Sequence, residues 1–228
     1  GFFFFFSPNA IRVWSLNPDE KPDRVLFRRR LEHAIAVRER LFPASESATT
    51  AYRLLNGEGD RTPGFVIDRY EDVAVLRLDG DAARDVADEL LADVEAPLRA
   101  FGVTALLDRS GGGRSGQALV IRPRFGATRD KVTVKEHGVP FVVDLAHGQK
   151  TGAFLDQREN RRRVGELVAR RTASTRPVRV LNLFSYAGGF PLRAALAGAS
   201  VTSVDIAMQA HATAQESFRL AGVDPRSN

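Results

Sequence analysis

Apolar and polar positions change period several times along the chain, and each change predicts an element. Over residues 22–42 Val25, Leu26, Leu31, Ile35 and Leu41 recur at helical spacing, with Pro22-Asp23 at the start and Pro43 as the stop. Phe65–Tyr70 and Val73–Leu78 read as strands turning at Glu71-Asp72, the second alternating Val73, Val75 and Arg77 against Ala74, Leu76 and Leu78. Residues 81–101 keep Val86, Leu90, Leu91, Val94 and Leu98 on one face, which predicts a single amphipathic helix ending at Gly102. Strands at 103–107 and 118–121 follow on either side of a loop, Ser110-Gly111-Gly112-Gly113. A hairpin, 132–136 with 139–145, turns at His137-Gly138.

After residue 148 the pattern becomes strand, glycine loop, helix, strand, helix: a helix over 157–171, an apolar run at 178–184, a short helix at 191–198, a strand at 201–205 and a helix at 207–221. Such alternation predicts a parallel sheet with helices on its faces and ligands at the carboxyl ends of the strands. Two strands cannot bury such a sheet, so the chain is expected to stop inside a domain. At the other end, residues 2–16 mix aromatic and β-branched residues around a Ser7-Pro8-Asn9 turn. Five consecutive Phe cannot alternate between core and solvent, so this strand is either buried on both faces or without its partner, and the missing partner is the favoured expectation.

Composition narrows the chemistry. The 228 residues contain no cysteine, which excludes disulfides, Cys-ligated zinc and a cysteine nucleophile within them; the one methionine, Met208, is far from Gly1, so a longer parent chain is expected. No apolar run reaches the roughly 20 residues of a membrane span, and no signal peptide is read; a cytoplasmic location is the expectation. The net charge of +5 is unevenly spread, and residues 149–228 carry 12 basic against 6 acidic groups. Of the 33 basic residues 29 are Arg, the better bidentate partner for phosphate, so a polyanion such as RNA is a candidate partner beside a merely solvated helix face. None of the four histidines sits at metal-ligand spacing, and no metal is expected.

The most specific feature is Phe184-Ser185-Tyr186-Ala187-Gly188-Gly189 after an apolar strand, with Asp205 ending the next strand. Glycines between a strand and a helix let backbone N–H groups approach a ligand, and the acid is placed to accept from a ribose's two hydroxyls. A dinucleotide needs G-x-G-x-x-G, and its third glycine is absent here, which favours S-adenosylmethionine over NAD. Residues 148–161 (GQKTGAFLDQRENR) lack the P-loop spacing despite Lys150-Thr151. Either Asp156 is the N-cap of the Arg-rich helix, or Asp156 and Arg158 lie over the cofactor pocket.

Residues 52–60 (YRLLNGEGD), 62–70 (TPGFVIDRY), 148–161 and 181–190 (LNLFSYAGGF) together resemble the class I S-adenosylmethionine-dependent methyltransferases of large-subunit ribosomal RNA, the 23S rRNA cytosine-5 type and its relatives. Ala187, where the family usually has Thr, and Ser217, where Asn is common, depart from the pattern. The resemblance implies a mixed α/β and α+β chain. Residues 1–16 would be the end of a PUA RNA-binding domain, 17–50 a helical linker, 51–148 a central strand-strand-helix-strand-strand domain, and 149–228 the first part of a Rossmann-like methyltransferase domain. It further implies that Phe154, Asp156, Gln157 and Arg158 border the methionine end of the cofactor. Phe184, Ser185, Tyr186 and Gly188 would form its floor, and Asp205 would hold the ribose. Lys150, Arg161 and Arg162 are the candidates to meet ribosomal RNA. Cytosine C5 chemistry uses a cysteine thiolate on C6, which these residues do not supply, so the nucleophile is expected further along the parent chain and the fragment is expected to be inactive alone. A guanine methyltransferase of the same fold, an NAD-dependent oxidoreductase and a non-catalytic RNA-binding module are the competing readings. The oligomeric state, a homodimer included, is left open.

Overall fold

Of the aromatic run expected to lack a partner, Phe2–Phe3 (β1) pairs antiparallel with Ile11–Arg12 (β2), Phe2 opposite Arg12. The computed structural model describes residues 2–3, 11–43, 48–110, 121–173 and 177–225; the turn at 7–9, the glycines at 111–113 and most of the strand expected at 118–121 lie outside them. Two units divide the chain: Gly1–Ser47 with Ala51–Thr128, and Ala48–Thr50 with Arg129–Asn228.

In the first unit the side chain of Arg12 is buried, its guanidinium reaching Glu58 at 2.7 Å and the backbone oxygen of Asp79 at 2.9 Å. The helix Arg24–Leu41 (α1) begins where Asp23 accepts from the Leu26 N–H at 2.9 Å, a cap that contributes about 1 kcal/mol. It buries Phe27, Leu31, Ala34 and Ile35 in the same core as Trp14, Leu54, Phe65 and Leu98. Each large apolar side chain placed there contributes roughly 1.5–3 kcal/mol, so α1 packs into the core of this unit. Trp14, Phe27 and Phe65 meet at centroid distances of 5.0–6.2 Å.

The sheet of this unit runs Ala51–Asn56 (β3), Phe65–Tyr70 (β4), Val73–Leu78 (β5), then, after the helices, Ala105–Asp108 (β6) and Arg122–Phe125 (β7), in that spatial order. Only the β5–β6 pair is parallel; its crossover holds three short helices, Asp81–Asp85 (α2), Ala87–Leu90 (α3) and Glu95–Ala100 (α4), where one was expected. Pro97 explains the break before α4, because its ring opposes the carbonyl four residues earlier and it donates no hydrogen bond. Nothing in the sequence marks the break at Val86. Strand β3 shifts register between Arg53 and Leu55, so its burial does not alternate and its pattern does not read as a strand.

The second unit opens with the hairpin Lys131–Glu136 (β8) and Val139–Asp144 (β9), turning through His137 (φ +46°) and Gly138 (φ +79°). The hairpin thus groups with the residues that follow it, where the sequence pattern places it with those before. A 3₁₀ turn, Leu155–Gln157, leads into Arg158–Thr172 (α5), followed by Arg179–Leu183 (β10), Gly189–Leu196 (α6), Ser200–Val204 (β11) and Met208–Leu220 (α7). Strands β10 and β11 pair in parallel. Val168, Ala194, Ala199 and Val201 form the core under α5 and α6. Helix α7 docks on β9, where the Ser217 hydroxyl accepts from the Val142 N–H at 3.0 Å and donates to the Thr213 carbonyl at 2.9 Å. Leu181 and Leu183 are 64% and 54% exposed, so one face of the β10–β11 pair is open. No helix among the described residues is long and apolar enough to cross a membrane.

Candidate cofactor site

Where β10 ends, the chain is bent by three residues with positive φ within five positions: Phe184 (+57°), Tyr186 (+48°) and Gly188 (+77°). Two of them carry side chains, for which this conformation is unfavourable, and such strain persists only where surrounding bonds impose it. Here the Ser185 N–H donates to the Val204 carbonyl at 3.1 Å, the Tyr186 N–H to Asp205 Oδ2 at 2.7 Å and the Gly188 N–H to the Ser185 carbonyl at 3.0 Å. The second oxygen of Asp205, Oδ1, accepts from the Ala207 N–H at 2.9 Å. These N–H groups, Ala207 first and Tyr186 next, hold the Asp205 carboxyl below its ordinary value. Each carboxylate oxygen keeps a lone pair, enough to accept from two neighbouring hydroxyls.

The glycine pair has a packing cause beside the one its sequence context implies. A Cβ on Gly188 would lie 2.7 Å from Ala214 Cβ, and one on Gly189 would lie 2.7 Å from Arg161 Cδ. Close packing against α7 and against the stem of Arg161 therefore demands both glycines, without any ligand.

Beside this loop is a cavity of about 350 Å³. Phe154, Gln157, Phe184, Ser185 and Tyr186 line it, as do Glu136, Phe141, Phe190 and Arg193, which the sequence did not single out. Asp156, Arg158, Gly188 and Asp205 are not in its wall. Asp156 is exposed and makes no helix cap; Gln157 precedes α5 and gives no side-chain cap either. Partial burial raises the Asp156 carboxyl, but the hydrogen bond from Gln157 and the Lys150 ammonium 3.4 Å away, with its own backbone, bring it below its ordinary value. Lys150 also lies 4.4 Å from the centre of the Phe154 ring. Arg158 donates to Glu159, whose carboxyl is pulled down to about 2 by hydrogen bonds from Arg162, Arg158 and His137.

Arg161, a candidate to meet RNA, is turned inward. Its side chain is buried in a two-pronged ion pair with Glu136, Nε donating to Oε2 at 2.8 Å and Nη2 to Oε1, and Nη2 also donates to the Phe154 carbonyl at 3.1 Å. Arg193 donates to the backbone carbonyl of Glu136. Arg162 spreads its guanidinium over Glu159 and Glu166. Glu136 was legible in principle, since β8 buries Val132, Val134 and Glu136 on one face and an acid there demands a partner.

Ser185 tests whether this site fits an adenosyl cofactor. It is 6% exposed, lines the cavity, and its Oγ has no hydrogen-bond partner among the described residues. A buried hydroxyl without a partner is rare and costs about 1–3 kcal/mol, as expected where a polar ligand completes the bonding. With the ionised Asp205, aromatic walls and the donor-rich loop, the residues fit.

Known proteins agree with this chemistry. The chain is 39% identical over 223 residues to a ribosomal RNA large subunit methyltransferase of Deinococcus radiodurans, covering 94% of this chain and 52% of that protein. It is 34% identical over 225 residues to ribosomal RNA large subunit methyltransferase I of Alteromonas mediterranea, covering 97% and 54%. The chain thus spans about half the length of the curated relatives it matches. A crystal structure of a methyltransferase complexed with S-adenosylhomocysteine superposes with a TM-score of 0.75 at 27% identity, over 90% of this chain and 50% of the other. Residues 124–227 match the S-adenosylmethionine-dependent methyltransferase family, and the whole site from Glu136 to Asp205 falls inside that span.

Proposed function

We propose that the chain carries the cofactor site of an S-adenosylmethionine-dependent methyltransferase that modifies large-subunit ribosomal RNA at carbon 5 of a cytosine. The observation that carries the cofactor reading is the buried, unpartnered Ser185 hydroxyl beside an Asp205 carboxylate with acceptor capacity to spare. Asp205 holds the ribose hydroxyls, Ser185 a polar group of the amino-acid portion, and Phe154, Phe184 and Tyr186 supply the apolar surround, with Gln157 at its rim. Arg158, already paired with Glu159, and Asp156 lie outside the cavity wall, and their place at the methionine end rests on the family resemblance alone. When bound, the cofactor supplies an electrophilic methyl on a sulfonium; the chain's own part is to orient it and exclude water. Cytosine C5 rests on the family resemblance, as does the assignment of residues 2–16 to the end of a PUA domain. Calorimetry is expected to show binding of S-adenosylhomocysteine and none of NAD. Tritiated methyl transfer to large-subunit rRNA by the parent protein that also carries the expected cysteine, with the product nucleoside identified, then separates 5-methylcytidine from methylguanosine. Binding of NAD alone would sink the methyltransferase reading.

The RNA partner is read from the face of α5 opposite its buried side. Arg163 and Arg170, seven residues apart, are exposed and pair with no acid among the described residues, whereas Arg162 is neutralised by Glu159 and Glu166. Leu167 between them is 59% exposed. Replacing Arg163 and Arg170 by Ala should lower the slope of log affinity for rRNA against log salt by about 1.4, while S-adenosylhomocysteine affinity stays put. An unchanged slope moves the RNA contact elsewhere.

A further inference from the structure

Segments far apart in the sequence converge on one residue, Tyr186. The Tyr186 hydroxyl accepts from the Gln149 N–H at 2.7 Å and donates to the Gly152 carbonyl at 2.9 Å, so it bridges the two shoulders of the 148–152 loop. The Tyr186 ring meets the Phe154 ring edge-on at 5.3 Å. Its backbone N–H is the one that Asp205 accepts, and its φ of +48° aims the side chain away from the course an extended strand would give it. The loop is built around this contact. A Cβ on Gly148 would lie 2.9 Å from the Tyr186 hydroxyl and only 2.3 Å from the Asp144 carbonyl, and Gly152 sits at φ +142°, a conformation other residues rarely adopt. Lys150, at the tip, also has positive φ (+55°) and lies over Phe154.

We propose that Tyr186 is a positioning residue: its hydroxyl latches the 148–152 loop to the bend after β10, so that the wall carrying Phe154 and Gln157 and the wall carrying Ser185 and Asp205 are set by one side chain. This rests on the cofactor reading above. The latch couples the sites in both directions, because a ligand held between two walls favours the arrangement in which the walls are joined, and the joined arrangement favours the ligand. A lone wall contact from Tyr186 would leave the 148–152 loop indifferent to what the cavity holds.

Tyr186→Phe keeps the ring and its edge contact and removes both hydrogen bonds. The Gln149 amide is then expected to exchange with deuterium about tenfold faster, with the exchange of α5 and α7 unchanged. S-adenosylhomocysteine should bind about tenfold more weakly, and in the active protein the KM for S-adenosylmethionine should rise by a similar factor while kcat at saturation stays within about twofold. Gln149 exchange that matches the wild type overturns the latch, and so does faster exchange with undiminished affinity. Should Tyr186→Phe fail to fold, the wild type decides: S-adenosylhomocysteine must slow exchange at Gln149, and no slowing overturns the proposal. If the wild type binds no S-adenosylhomocysteine, the cofactor reading fails instead, while the exchange comparison still reports whether the hydroxyl holds the loop.

Discussion

A Glu136→Ala protein is expected to lose about 3–5 kcal/mol of stability in its second unit, seen as a lower denaturation midpoint with unchanged steepness. The cost comes less from the lost attraction than from what remains: an Arg161 guanidinium 7% exposed, with no carboxylate to answer it. Arg161→Ala should cost a comparable amount, since it strands a carboxylate 2% exposed and removes the donor to the Phe154 carbonyl. Replacing both, Glu136→Leu with Arg161→Met, should recover most of the loss, because a buried ion pair and an apolar pair of similar volume often come out about equal. Arg161→Lys should not recover it, since an ammonium cannot reproduce the two-pronged contact. A single substitution costing under about 1 kcal/mol would mean that water reaches the pair and screens it. The Arg193 contact adds little to this comparison, because it goes to the Glu136 backbone carbonyl, which every variant keeps.

The sequence was most readable where one periodicity ran without interruption. Strands β4 and β5 fall where the pattern puts them, and the hairpin β8–β9 differs by a residue at its ends, because each is a short apolar run bounded by unambiguous turn residues, and β8 alternates strictly as well. Readability failed where geometry broke the period. The register shift at Arg53 hid β3, and residues 81–101 kept helical spacing through breaks that only Pro97 partly announces. In the candidate site, the two strand ends and Asp205 were legible because the carboxyl ends of parallel strands are where such sheets take ligands, and Asp205 stands at one of them in the sequence. The charge of Arg161 suggests a surface residue, while its position says otherwise. It lies seven residues before Val168 and three before Val164, on the inward stripe of α5, and an arginine on that stripe has to find an acid inside. The packing reason for Gly188 and Gly189 was out of reach altogether, since Ala214 and the stem of Arg161 approach them only in three dimensions.

Asp205→Ala should weaken S-adenosylhomocysteine binding about 100-fold, as a charge-assisted acceptor for two hydroxyls disappears. The same carboxylate also receives the Tyr186 and Ala207 N–H groups, so loss of affinity alone does not separate a ribose contact from a loosened bend. A cycle with 2′-deoxy-S-adenosylhomocysteine does. If Asp205 accepts from the ribose, the wild type should prefer the natural ligand by about tenfold and Asp205→Ala should scarcely distinguish the two. If the substitution only loosens the bend, both ligands weaken together and the preference survives, which would sink the ribose assignment; so would undiminished affinity in Asp205→Ala. The pH dependence has a definite sign. A carboxyl held below its ordinary value of 3.8 gives its contribution in full above that value and loses it as pH falls through the lowered one. Titration of Asp205 therefore leaves affinity flat from pH 8 to about pH 5. A decline within that window in the wild type that persists in Asp205→Ala belongs to another group, and one that vanishes in Asp205→Ala contradicts a carboxyl held below its ordinary value in the folded protein.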